Sequence, residues 1–189
     1  EKLADLHLPA DDREFDYFCV KEAVMPFGRF PGSDVVLGPE MKSTGEVMGI
    51  ASNFPAAFTK TQLAIDYEPP RGGEVFISVN DGDKRNITAI ARSIARLGFS
   101  LVATTGTARA LRASGIECEE VGKIHAGSHT ILDRIASGEI VLMINTPFGS
   151  STNTDGYEMR AACVRHGVSY CTTLAGAQAL IAGMEAVRE

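Results

Sequence analysis

The chain has 189 residues, with 18 lysines and arginines against 24 aspartates and glutamates, a formal charge of -6, and 44% hydrophobic residues. Such a length suits one full domain plus an extra piece, at ~100–200 residues per domain, and the mild negative charge argues against general nucleic-acid binding. No apolar run approaches the ~18 residues of a membrane-crossing helix, and Glu1-Lys2-Leu3-Ala4-Asp5 does not read as a signal peptide. A first residue other than Met reads as a fragment or a processed chain. Cys19, Cys118, Cys163 and Cys171 form no CxxC pair, so reduced thiols in a cytoplasmic protein are expected. His125 and His129 stand four apart without an acidic partner nearby, and no metal site is expected.

Residues 1–73 and 74–189 differ in texture. The first stretch carries strand patterns at Tyr17–Met25, Val35–Met41 and Ser43–Gly49, then a helix near Pro55–Ile65. Tyr67-Glu68-Pro69-Pro70-Arg71-Gly72-Gly73 has linker chemistry, because proline and glycine both interrupt regular structure. From Glu74 on, strand and helix alternate. Glu74–Val79 predicts a buried strand; Ile87, Ile90, Ala91, Ile94 and Leu97 predict a helix over Lys84–Leu97, ended by Gly98. There follow a strand at Phe99–Ala103, a helix at Thr107–Ala113, a short strand at Ile116–Glu119, a helix at His129–Ala136 and a strand at Ile140–Ile144. Gly149–Gly156 reads as a mobile loop. A helix at Tyr157–His166, a strand at Val168–Tyr170 and a helix at Leu174–Val187 close the chain. Five strands interleaved with helices predict an α/β fold, a parallel, doubly wound, Rossmann-like sheet over 74–189 behind a small α+β unit.

In such sheets ligands bind at the carboxyl ends of the strands. Those ends bring together Ser78 through Lys84, Thr104–Thr107, Asn145-Thr146 and Thr172-Thr173, with Lys123 in the loop after the third strand. Two of the turns, Ala103-Thr104-Thr105-Gly106-Thr107-Ala108 and Cys171-Thr172-Thr173-Leu174-Ala175-Gly176-Ala177, each follow a strand pattern and open a helix. Amides at a helix start lack intrahelical partners and lie at the positive end of the dipole, so they favour anions. Threonine is also a common plain helix cap, and single lysines are usually solvated. The convergence, not any one residue, points to a phosphate-bearing ligand. Asp81 and Asp83 are explained by the helix start they precede, so the rim has no evident acid–base engine. A helix start would lower the pKa of Cys171, but a packed, unreactive thiol is the plainer expectation.

Val20-Lys21-Glu22-Ala23-Val24-Met25-Pro26-Phe27 and Leu37-Gly38-Pro39-Glu40-Met41-Lys42-Ser43-Thr44-Gly45-Glu46-Val47-Met48-Gly49 resemble the end of the second synthetase half of carbamoyl phosphate synthetase large subunits. Residues from Glu74 onward resemble their C-terminal allosteric domain, which has the methylglyoxal-synthase-like fold. The resemblance implies an ATP-grasp remnant and linker over 1–73 and an effector domain over 74–189. It also implies a piece of a ligase that makes carbamoyl phosphate from glutamine, bicarbonate and ATP for pyrimidine and arginine synthesis. ATP with Mg or Mn, the catalytic carboxylates and the glutamine amidotransferase small subunit would belong to other parts, so this stretch would carry no catalytic residue or cofactor of its own. By the same resemblance, UMP or IMP would contact Ser78, Lys84, Thr104, Thr107, Lys123, Asn145, Thr146 and Thr173, and ornithine would contact Glu22, Tyr170, Cys171 and Thr172. Cys171 stands where ornithine-responsive members carry an acid, and Pro147 replaces a hydroxyl residue. A further reading, separate from the resemblance, makes the domain an oligomerisation or docking surface, with a homo-oligomer as the partnership. The alternative reading is a methylglyoxal-synthase-like phosphate lyase; there the Gly-Gly-Asp base of that enzyme would fall on Gly127-Ser128-His129, and serine cannot serve as the base.

Overall fold

A computed structural model of the chain describes residues 3–6, 14–30, 35–36, 41–122, 130–147 and 154–188. Strands β1 (Phe18–Val24) and β2 (Gly45–Ala51) pair antiparallel, and α1 (Phe54–Ala64) packs on one side of this ribbon. Asn53 caps α1, its side chain accepting from the Ala56 N–H, with Pro55 in the first turn. The strand expected over Val35–Met41 is not present at Val35 and Val36, and residues 37–40 lie outside the described residues.

The larger unit is a parallel sheet of β3 (Glu74–Val79), β4 (Ser100–Thr104), β5 (Glu119–Val121), β6 (Ile140–Thr146) and β7 (Ser169–Cys171), in the order β5-β4-β3-β6-β7. Helices α2 (Ile87–Arg96), α3 (Thr105–Ala113) and α6 (Leu174–Ala186) cover one face; α4 (Ile131–Ala136) and α5 (Thr154–His166) cover the other. Alternate strand residues serve the two cores: Val75, Ile77 and Leu142 pack with α2 and α6, while Phe76, Val102 and Met143 pack with α4 and α5. The doubly wound α/β class expected from the alternation of patterns is the fold observed.

Three strands begin later than their apolar runs predict. At Gly98, Gly115 and Gly167 the backbone turns to positive φ, and the next residue donates back into the preceding helix: Phe99 to Ile94, Ile116 to Leu111, Val168 to Cys163. These are glycine-ended helix caps of the Schellman type, in which the residue after the glycine is characteristically apolar. Phe99, Ile116 and Val168 are therefore plugs over a helix end, and the ladders start at Ser100, Glu119 and Ser169. The α2 helix also starts at Ile87 and not Lys84, because Asn80 accepts from the Asp83 N–H and holds Asp81–Asp83 in a single 3₁₀ turn. Of the stretch read as a loop before α5, Thr154-Asp155-Gly156 are helical and 149–153 lie outside the described residues.

Candidate functional site

The last rung of the sheet is polar. One rung below, Ala103, Ile77, Ile144 and Cys171 are aligned across four strands. At the next rung stand Thr104, Ser78 and Asn145, with Thr172 one residue past β7. The Thr104 and Ser78 hydroxyls are 3.4 Å apart, the Thr104 and Thr107 hydroxyls 3.4 Å, and the Asn145 amide Nδ2 donates to the Ser78 carbonyl at 3.2 Å. An apolar sheet thus ends in a row of small donors and acceptors at the carboxyl edge, where open α/β sheets bind ligands.

Two of the expected contacts also brace the rim. The Thr107 hydroxyl accepts from the Val79 N–H at 3.2 Å, and the Thr146 hydroxyl accepts from both the backbone and the side chain of Asn80 at 3.1 Å. Asn80 further donates to Asp83 at 2.7 Å, so the β3–α2 connection is held by Thr146 of β6, Thr107 of α3 and its own Asp83. Lys84 extends over the start of α3: a Cβ on Gly106 would lie 2.8 Å from its Nζ. Its ammonium pairs with Asp81 at 2.5 Å, and that pairing holds the Asp81 carboxyl below the usual carboxylate range. Thr173 caps α6, accepting from the Gly176 N–H at 3.1 Å. Lys123 and the Gly127-Ser128-His129 segment lie outside the described residues.

Sequence reasoning passed over Arg160. It lies on α5, is 5% exposed, and donates to Asn145 Oδ1 at 2.9 Å. The signal was its position three residues before Cys163, on the stripe that also buries Met159 and Ala162.

The other group of expected contacts spans both units. The Glu22 carboxylate on β1 accepts from the Thr61 hydroxyl at 2.6 Å and from Gln62 Nε2 at 2.5 Å. Tyr67 joins α1 to β7: its N–H donates to Gln62, and its ring packs on the core beside Ser169 and Cys171. Burial pushes the Tyr67 hydroxyl up to about 12 and the Cys171 thiol to about 12, so Cys171 is a packed neutral thiol and not a thiolate. Tyr170 packs instead on the opposite core, and Thr172 is half-buried at the rim. A groove of about 730 Å³ lies at the amino end of β4 beside Arg92, Phe99, Ile116 and Glu117. Its Arg92 guanidinium is engaged by the Ser114 carbonyl, and no row of donors converges there. The rim, with its convergent hydroxyls and amide, is the better site.

Residues 86–172 match the family model of the MGS-like domain, a stretch that takes in Thr104, Thr107, Asn145 and Thr146 of the rim. Along its length the chain is homologous to the C-terminal region of carbamoyl phosphate synthase large chains. It is 50% identical over 190 residues to the "Carbamoyl phosphate synthase large chain, C-terminal section" of Methanopyrus kandleri, covering 100% of this chain and 35% of that one. The large chain of Myxococcus xanthus is 47% identical over 175 residues, with 93% and 16% covered. That of Methanothermobacter thermautotrophicus is 48% identical over 187 residues, with 99% and 18% covered. The chain therefore spans 35% or less of the length of these relatives.

Proposed function

We propose that this chain is the regulatory C-terminal region of a carbamoyl phosphate synthase large chain, and that its 74–189 domain binds a nucleoside monophosphate effector at the polar rim. The observation that carries this is the row Thr104–Ser78–Asn145 with Lys84 lying over the first turn of α3. Hydroxyls and an amide supply directional bonds to phosphate oxygens, the helix start adds its dipole, and a lysine adds point charge. Lys123 and Thr173 complete the proposed contact set. Within the whole ligase, ATP with its Mg or Mn and the glutamine amidotransferase partner are assigned to the portion that relatives have beyond this stretch. Among the described residues no three His, Cys, Asp or Glu side chains are grouped to hold a metal. In this reading the stretch alone does not synthesise carbamoyl phosphate, because the substrates and the amidotransferase engage the portion beyond it, and its role is regulation of a pathway enzyme for pyrimidines and arginine.

Of the three contacts proposed for ornithine, Glu22, Tyr170 and Thr172, Glu22 lies where the ribbon meets α1, while Tyr170 packs on the opposite face of the sheet. Here Thr61 and Gln62 already hold the only carboxylate among the three, and Cys171 is neutral, so an ammonium finds weak compensation. Titration calorimetry of the chain with UMP, IMP and ornithine tests the reading. Heat with one nucleotide, reduced in Lys84→Ala, is expected; silence toward both nucleotides at millimolar concentration sinks it. Light scattering with and without nucleotide reads the oligomeric state, with an effector-dependent size expected if association accompanies binding.

A further inference from the structure

We propose that Arg160 is a positioning residue that makes the rim select the phosphate of its ligand, by fixing which atom of the Asn145 amide faces outward. This rests on the reading of the rim as a monophosphate site. Arg160 approaches from α5, on the sheet face that also carries Ser78, Thr104 and Asn145. Its guanidinium can only donate, so the Asn145 atom 2.9 Å from Nη1 must be the carbonyl oxygen. The Ser78 carbonyl can only accept, so the atom 3.2 Å from it must be Nδ2. Two independent neighbours impose the same orientation. Asn145 then offers the rim a donor: its second Nδ2 hydrogen is uncommitted among the described contacts.

A row of donors at this rung, with a buried cation behind it, suits phosphate oxygens, which only accept. Were the amide turned over, its oxygen would face a phosphate and repel it. The guanidinium is 5% exposed, so water competes little for its hydrogen bond to Asn145 Oδ1. Gly156 is part of the device. A Cβ there would lie 2.9 Å from Arg160 Nη1 and 3.5 Å from Asn145 Oδ1, so the first turns of α5 leave room for the guanidinium only because that position is glycine.

The test is the ratio of affinities for UMP and uridine, measured by calorimetry on the full 189-residue chain, with inorganic phosphate as a second probe. Arg160→Met is expected to weaken UMP and phosphate at least about tenfold, the worth of a lost hydrogen bond to a charged group, and to leave uridine nearly unchanged. Arg160→Lys keeps a donor and a charge, and it should recover part of the loss. Asn145→Asp keeps the Arg160 contact but presents an acceptor, so it should abolish phosphate binding while the fold persists by circular dichroism. This last variant and Arg160→Lys decide the matter if Arg160→Met fails to fold. An equal loss for UMP and uridine marks a merely structural role and overturns the proposal. So does UMP affinity unchanged in Arg160→Met or Asn145→Asp, while the effector site itself would stand. A wild-type chain that binds neither UMP, IMP nor phosphate overturns this proposal and the effector reading together.

Discussion

Lys84 lies over the start of α3, and it is already engaged. Asp81, three residues before it and fully solvated, holds its ammonium at 2.5 Å. A phosphate arriving over Gly106 must therefore compete with a carboxylate for Lys84. Asp81→Asn removes the competitor and one negative charge, and it is expected to tighten UMP binding about two- to fivefold, the scale of an exposed ion pair. Calorimetry reads this directly; unchanged or weaker binding would remove Lys84 from the anion contacts. The buried acids make a second prediction. Cys163 and Cys171 are raised from 9.0 to about 12, and Tyr67 from 10.0 to about 12, chiefly by burial. For an acid raised in the folded state, stability is fully present below the unfolded pKa and is lost as pH climbs toward the folded one. The melting temperature should fall steadily from about pH 9 toward pH 12, and Cys163→Ala or Cys171→Ser should flatten that fall. At pH 8 an uncharged alkylating reagent should label exposed Cys19 and spare buried Cys163 until the chain is unfolded. Much of this scale was legible: Ser78, Thr104, Thr107, Asn145 and Thr146 stand at the carboxyl edge, as their places after apolar runs require. Arg160 was not, because an arginine inside a helix pattern reads as solvated until its partner strand is known.

Among the elements, helix α2 shows what periodicity can do. Ile87, Ile90, Ala91 and Ile94 are the residues it buries, and spacing alone picks out that face. Strand starts are harder, since an apolar residue after a glycine serves a helix cap and a strand equally well. Phe99, Ile116 and Val168 went to the caps, because capping satisfies helix carbonyls that would otherwise be left open. Helix α4 is short, six residues, and its place is secured by charge at the amino edge of the sheet. Arg134 is nearly buried and bonds Glu119 through two 2.9 Å contacts and Glu74 through one, with Glu139 at 3.5 Å. The cluster ties α4 to β3 and β5 and to the turn before β6. Replacing Arg134 with Met removes the cation that these three carboxylates share. Urea unfolding should show a loss of about 3 kcal/mol, partly restored when Glu74→Gln is added. A loss below about 0.5 kcal/mol, the scale of an ordinary surface change, would show that the cluster is a solvated surface pair.

For the whole molecule, the decisive contact is between the two units. Helix α6 begins at the rim with Thr173 and runs back to lie on α1, where a Cβ at Gly183 would come 2.7 Å from the Thr59 hydroxyl. The same α1 holds Glu22 of the ribbon, so rim, helix pair and ribbon form one packed series. Gly183→Val forces α6 off α1; overpacking of this kind costs roughly 1–3 kcal/mol. The expected result is a lower thermal midpoint and faster proteolysis in the 68–73 linker, with UMP affinity within about twofold of wild type, inside the scatter of distant sites. An unchanged midpoint would show that the helices need not touch. The amino-acid sequence by itself determined the alternation of strands and helices, the parallel sheet and the small residues at its carboxyl edge, because these follow from periods and turn chemistry along a few neighbouring residues. Only the tertiary structure decided that Arg160 lies behind Asn145, that Asp81 occupies Lys84, and that α6 joins the rim to α1. Each of these depends on residues 3 to 124 positions apart, and only the packed chain sets which of them meet.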